Sequence, residues 1–181
     1  MNPAAFLLLG MKHSGKSTHG RRLADYLGAV FYDLDEIVEE LYDPSRRVTC
    51  REIFRSRGSA FFANLEAQAA ATLASRMATG PAVAALGGGT IENADAMRAL
   101  KDSGIRVYLK NGVETLFARI MKHGVPAFLN PDDPHGDFER LYARRTALYE
   151  QNADLVVNLE GLSLDEAFNR IVASLAAKPA E

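Results

Sequence analysis

The run Gly10-Met11-Lys12-His13-Ser14-Gly15-Lys16-Ser17-Thr18 sets two glycines, a lysine and a hydroxyl at the spacing G-x-x-x-x-G-K-S. Each type has a reason to be there if the ligand is a chain of phosphates. Glycines let the backbone turn tightly and aim its N–H groups at an anion. Lys16 then supplies a cation for the β- and γ-phosphates, and the Ser17 hydroxyl offers a hard oxygen to Mg²⁺. This is the pattern of a phosphate-binding P-loop. It requires a strand before it and a helix after it, so that the positive end of the helix dipole also faces the anion. His13 stands where such loops often carry a small residue, and it reads as an exposed loop side chain.

Other residues fall at positions where ligands are bound. Asp33-Leu34-Asp35 follows the apolar run Ala29–Tyr32, so both carboxylates lie on one side of the chain at the carboxyl end of a strand. Gly87-Gly88-Gly89 ends the apolar run Ala82–Leu86, a place where a ligand can touch bare backbone. Residues 123–136 hold three prolines and two glycines, the longest stretch without a helix or strand pattern, and loops of this length in compact domains act as lids or binding loops. Arg140, Arg144 and Arg145 follow on a helical segment.

The elements that position these residues alternate. Apolar residues 4–9 form a strand, and a helix runs from Lys16 to Leu27 and ends at Gly28. Residues 36–42 are helical, and Asp43-Pro44-Ser45 is a turn. Thr49-Cys50-Arg51-Glu52 is a capping box that opens a helix, Gly58 breaks it, and alanine-rich Ser59–Met77 continues as helix. Asn93 caps a helix through Ser103, Ile105–Leu109 is a strand, and Gly112–Lys122 is helical. Helix resumes near Asp137 and runs to about Gln151, Asp154–Leu159 is the last strand, and the capping box Ser163–Glu166 opens a final helix to about Ala177. Five strands alternating with helices predict an α/β protein of three layers, a parallel sheet with helices on both faces. Residues 1–181 read as one domain, with a helical insertion at about 34–77 and a lid at about 122–137.

Composition narrows the function. A chain of 181 residues with 48% apolar and 24% charged residues is that of an ordinary globular protein. A net charge of −2 argues against a general nucleic-acid binder. The single Cys50 excludes an intrachain disulfide and any multi-cysteine metal site, and reads as a bystander thiol. The apolar run before the P-loop is short and lacks a basic n-region or cleavage site, and no run approaches the length of a membrane span. The expectation is a cytoplasmic protein whose partner is a small molecule, not nucleic acid or membrane. The absence of an obvious exposed apolar stripe favours a monomer.

The P-loop, Asp33-x-Asp35, Gly87–Gly89 and Arg145 beyond a lid together resemble the shikimate kinase family, from about Phe6 to Ala176. The resemblance implies a P-loop kinase fold and ATP-dependent, Mg²⁺-assisted phosphorylation of shikimate. By that likeness Gly10 to Thr18 hold the nucleotide, Lys16 is catalytic, and Ser17 and Asp33 serve the metal, Asp33 through water. Asp35 binds the substrate hydroxyls and orients the attacking one, Gly87, Gly88 and Gly89 line the substrate site, Arg145 grips the shikimate carboxylate, and Arg119 covers the adenine. Two positions depart from the family pattern. Ala63, in Phe62-Ala63-Asn64-Leu65-Glu66, stands where an arginine contacts the carboxylate, and Val125, in Val125-Pro126-Ala127, stands where a lid arginine reaches the transferring phosphate. Lys122, Arg57 and Arg144 are candidates to compensate. Two further readings follow from these departures: a kinase for another small hydroxylated metabolite of the gluconate-kinase type, and a degenerate ATP-binding paralogue with little turnover.

Overall fold

A computed structural model describes residues 5–122, 124–126 and 129–177. Apolar, β-rich runs form five strands: β1 (Ala5–Leu9), β2 (Val30–Asp33), β3 (Ala82–Ala85), β4 (Ile105–Lys110) and β5 (Leu155–Asn158). All neighbouring strands pair in parallel, in the order β2-β3-β1-β4-β5. Parallel strands need crossover connections, and helices supply them: α1 (Lys16–Leu27), α2 (Leu34–Tyr42), α3 (Cys50–Met77), α4 (Ala94–Ala99), α5 (Val113–Met121), α6 (Pro134–Asn152) and α7 (Leu164–Ala176). The expected three-layer α/β fold is the fold observed.

The strand period divides the core. Leu7 and Leu9 face the cluster built by α2–α6, whereas Phe6 and Leu8 face the one built by α1 and α7. All four are buried, so β1 reads as an unbroken apolar run without alternation, as a strand covered on both faces must. The chain leaves β1 over one face through α1 and leaves β3 over the other through α4. The two connections diverge from neighbouring strands, and a crevice opens between the carboxyl ends of β1 and β3. The P-loop follows β1, and the three glycines follow β3.

Local signals set most helix ends. Gly28 closes α1 in the left-handed conformation, and the capping boxes at Thr49 and Ser163 are both formed. Gly58 interrupts α3 at φ 81°, a value that costs a residue with a side chain but not glycine. Three boundaries differ from the sequence reading. Helix α4 ends at Ala99 rather than Ser103, because the chain turns at Leu100 before Gly104. Helix α2 starts at Leu34, so Asp35 stands in its first turn. Helix α6 begins at Pro134, not Asp137: the Asp133 carboxylate accepts from Gly136 N–H, and proline is well suited to the first helical turn. The lid expected at about 122–137 is thereby shortened at its far end. Three of its residues, His123, Ala127 and Phe128, lie outside the described residues. No helix among the described residues is long and apolar enough to cross a membrane.

Candidate active site

The P-loop takes its shape from bonds to residues far along the chain. Gly15 precedes α1 at φ 94°, which lets the loop enter the helix without a side chain in the way. Buried Asn111, just after β4, donates to the Ser14 carbonyl at 3.3 Å. Arg119 of α5 donates to the His13 carbonyl at 3.1 Å and to Asn111 Oδ1 at 3.4 Å. His13 is exposed, as expected for a loop side chain, and has a positive φ of 64°.

Lys16 is buried, and its ammonium donates to the carbonyls of Gly10 and Met11 at 2.8 Å each. Burial lowers its pKa to about 8, against the opposing pull of Asp35 and Asp33. Ser17 donates to Asp33 Oδ2 at 2.8 Å, while Asp33 Oδ1 caps α2 by accepting from Asp35 N–H at 3.1 Å. This hydroxyl–carboxylate pair beside the phosphate loop is an all-oxygen donor set, which suits the hard, oxygen-seeking Mg²⁺.

Asp35 lies between the loop and the three glycines. Its side chain reaches solvent in the cleft, yet the cleft walls withhold much of its hydration. That desolvation, with repulsion from Asp33, raises its pKa to about 6 despite the attraction of Lys16. Glu66 of α3 and Glu39 of α2 push it in the same direction. Glu66 is buried and accepts from Thr90 Oγ1 at 2.7 Å and from Asn93 Nδ2 at 2.8 Å. Cys50 donates its thiol to the Asp35 carbonyl at 3.4 Å, and burial beside Asp35 pushes that thiol far up, so it stays protonated and unreactive.

The glycines after β3 are spaces already claimed by the site. A Cβ on Gly87 would come within 2.9 Å of the Asp35 carboxylate and of Thr90 Oγ1. One on Gly88 would lie 3.0 Å from the Lys12 amide nitrogen, and one on Gly89 would lie 3.4 Å from the Arg145 guanidinium. The three glycines therefore bring together residues from the P-loop, α2 and α6. Tyr149 of α6 fixes this turn by donating to the Gly88 carbonyl at 2.6 Å, with its ring stacked on Tyr108 at 4.9 Å.

Arg145 faces Gly89 and is clamped by Glu92 at 2.8 Å, which also takes a hydrogen bond from Arg144 at 2.7 Å. Burial pushes Glu92 up, but the two arginines outweigh it and hold its carboxyl below the usual range. Of the other basic residues singled out above, Arg144 is thus paired with Glu92, Arg57 stacks over the Phe61 ring at 4.3 Å, and Lys122 is exposed at the end of α5. Ala63 is exposed, one helical turn before Glu66. A cavity of about 590 Å³ lies at the opposite end of the sheet, beside Ala5, Met77 and Ile105, away from these groups.

The site draws Lys16, Ser17, Asp33, Asp35, Gly87–Gly89 and Arg145 into one crevice, and sets Arg119 against the back of the loop. Sequence reasoning missed Asn111, Thr90, Glu92 and Tyr149, and it marks Asn93 as a helix cap without its bond to Glu66. Of the four missed residues only Asn111 carried a local signal, a polar residue immediately after a buried strand.

A parallel sheet with a P-loop after its central strand, and an aspartate facing that loop from the end of the outermost strand, is the architecture of a P-loop kinase. This chain belongs to the shikimate kinase family, whose family model, described as shikimate kinase, matches residues 12–176. A shikimate kinase of Ruegeria pomeroyi is 31% identical over 173 residues, covering 95% of this chain and 85% of that protein. The solved shikimate kinase from Acinetobacter baumannii in complex with shikimate is 27% identical with a TM-score of 0.78, covering 97% of this chain and 96% of that one. A gluconokinase from Sinorhizobium meliloti 1021 shares the fold, at 18% identity, a TM-score of 0.59, and coverage of 97% of this chain and 93% of that one.

Proposed function

We propose that this protein transfers the γ-phosphoryl group of ATP to a hydroxyl of shikimate, giving shikimate 3-phosphate. The observation that carries the reading is Asp35, a carboxylate set between the phosphate-binding loop and the Gly87–Gly89 turn. The P-loop amides and Lys16 hold the β- and γ-phosphates. Asp35 accepts a hydrogen bond from the acceptor hydroxyl, aims its oxygen at the γ-phosphorus and takes the proton as the new P–O bond forms and ADP departs. Ser17 and Asp33 would hold Mg²⁺, which when bound offsets the phosphate charge. Arg145, kept in place by Glu92, pairs with the acceptor carboxylate. Arg119 braces the loop and stands beside the nucleotide.

A coupled ADP-release assay over shikimate, quinate, gluconate and simple polyols tests this reading. Shikimate-dependent release is expected. Release with gluconate or a polyol alone would replace the acceptor, and release with none, with ATP still bound, would leave a nucleotide-binding protein without kinase activity. The gluconate-type reading draws its support from Ala63, where no guanidinium faces the acceptor. Accordingly Ala63→Arg, with Glu66 one turn away to hold the new side chain, is expected to lower the shikimate KM by about 10–100-fold, the value of one charged hydrogen bond. An unchanged or higher KM in steady-state kinetics would mean a pocket shaped for a different acceptor.

The two shifted groups also predict a pH profile. Asp35 must be ionised to accept the proton, so kcat/KM falls as pH drops through about 6. Lys16 must carry its proton to bind phosphate, so kcat/KM falls as pH rises through about 8. The two limbs belong to a coupled pair. Bound ATP favours the charged lysine, so the upper limb of kcat alone should move to higher pH. A kcat/KM flat from pH 5 to 7 would exclude Asp35 as the base.

A further inference from the structure

A cavity of about 270 Å³ opens above the P-loop between α3, α5 and the start of the lid, lined by Lys12, His13, Arg51, Ile120, Val125 and Pro126. The lid's own share of this wall, Gly124, Val125 and Pro126, is uncharged. The two fixed cations come from elsewhere, Lys12 from the loop and Arg51 from the first residues of α3, and both side chains are exposed. Among the described residues neither makes an ion pair, whereas Arg21, Arg22, Arg76, Arg106, Arg144 and Arg145 each have a carboxylate. Lys12 also acts on the catalytic loop itself: its charge is one of those that lower the Lys16 pKa. Its backbone nitrogen adjoins Gly88, at the acceptor side.

Two cations facing one cavity with no carboxylate between them repel each other, and an anion placed there relieves the repulsion. We propose that Lys12 and Arg51 form an anion site at the junction of donor and acceptor, and that it holds an oxyanion of a reactant, a carboxylate or a phosphoryl oxygen. The proposal rests on the reading above only for the identity of the acceptor. Arg51 supplies a planar fork for two oxygens and Lys12 a mobile point charge. Together they provide positive charge where position 63 and the lid residues lining the cavity supply none.

The test titrates shikimate and, separately, inorganic phosphate into the protein saturated with Mg-ADP, by calorimetry, for the wild type, Lys12→Met, Arg51→Ala, the double variant and Arg51→Lys. Both side chains are exposed, so the variants are expected to keep the wild-type Tm. The double variant should lose about 10-fold or more in affinity for one probe, with Arg51→Lys intermediate. Loss confined to shikimate, with raised KM and steady kcat, assigns the site to the acceptor carboxylate. Loss confined to phosphate, with reduced kcat and steady shikimate affinity, assigns it to the transferring group. Unchanged affinity for both probes, or a wild type that binds neither, overturns the proposal. A wild type that binds phosphate but neither binds nor phosphorylates shikimate overturns the acceptor assignment alone, since the phosphate arm still reads the site.

Discussion

Lys16→Ala is expected to abolish measurable phosphoryl transfer, lowering kcat by about 10³-fold or more while leaving the fold intact. Lys16 is the one buried cation of the loop, and its ammonium is already drawn onto the carbonyls of Gly10 and Met11. Burial makes its charge costly when the protein is empty, hence the pKa of about 8, and worth more when a phosphate lies beside it. Charge that develops on the transferring group meets a preoriented cation in a partly dry site, and removing one such donor costs about 10²–10³ in rate even where it is neutral. Stability should change little, because the variant loses two hydrogen bonds together with the cost of burying an ammonium. Steady-state kinetics with ATP binding measured in parallel would check this. Turnover within a few fold of wild type would remove the loop from the mechanism.

Asp35→Asn should separate activity from stability. Loss of the carboxylate removes the hydrogen-bond acceptor that orients the hydroxyl, and kcat should fall by about 10²–10⁴-fold. The same change should stabilise the fold above pH 6. Asp35's pKa in the folded chain is raised from 3.8 to about 6, so the folded state holds its proton more tightly than the unfolded chain does. The resulting penalty is absent below the ordinary carboxylate pKa and fully present above about 6. Its upper size is about 3 kcal/mol by the free-energy equivalent of the displacement. Asp35 reaches solvent in the cleft, and screening reduces this to about 1 kcal/mol. Neutral asparagine carries none of it, so thermal unfolding at pH 7.5 should shift upward by about 2–4 °C and the gain should vanish near pH 4. A Tm that drops at pH 7.5 would mean that the Asp35 carboxylate supports the fold. The contrast is that of a site that accepts strain for function.

The two variants probe the same charge pair from opposite sides. Asp35 supports the protonation of Lys16, so its neutralisation should also move the upper limb of the pH profile below 8. Arg145 contributes in the other direction, repelling Lys16 while it is held by Glu92. Phosphoryl transfer here depends on a cluster of charges whose balance no single residue sets.

Much of this protein was legible in the chain because its signals are local. The P-loop, the capping boxes Thr49–Glu52 and Ser163–Glu166, and the stop at Gly28 depend on hydrogen bonds within a few residues, so residue type and spacing suffice to find them. Buried strands announced themselves as apolar runs, and their alternation with helices dictated a parallel sheet. Two local N-caps were misread: Asp33, which starts α2 at Leu34, and Asp133-Pro134, an N-cap followed by a helix-starting proline, hidden within a stretch rich in loop residues. Everything that joins distant parts of the chain had to wait for the tertiary structure. Asn111 meets Ser14 and Arg119 meets His13 across about a hundred residues, and the Glu92 clamp on Arg145 spans about fifty. The glycines after β3 were visible as a string, but only packing revealed that Asp35, Lys12 and Arg145 occupy the space their side chains would fill. The sequence by itself therefore determined the phosphate-binding loop and singled out Asp35 as the carboxylate to stand near it. The tertiary structure decided their charge states and neighbours, because desolvation and Coulomb energy depend on what surrounds a group in space, and order along the chain does not record that.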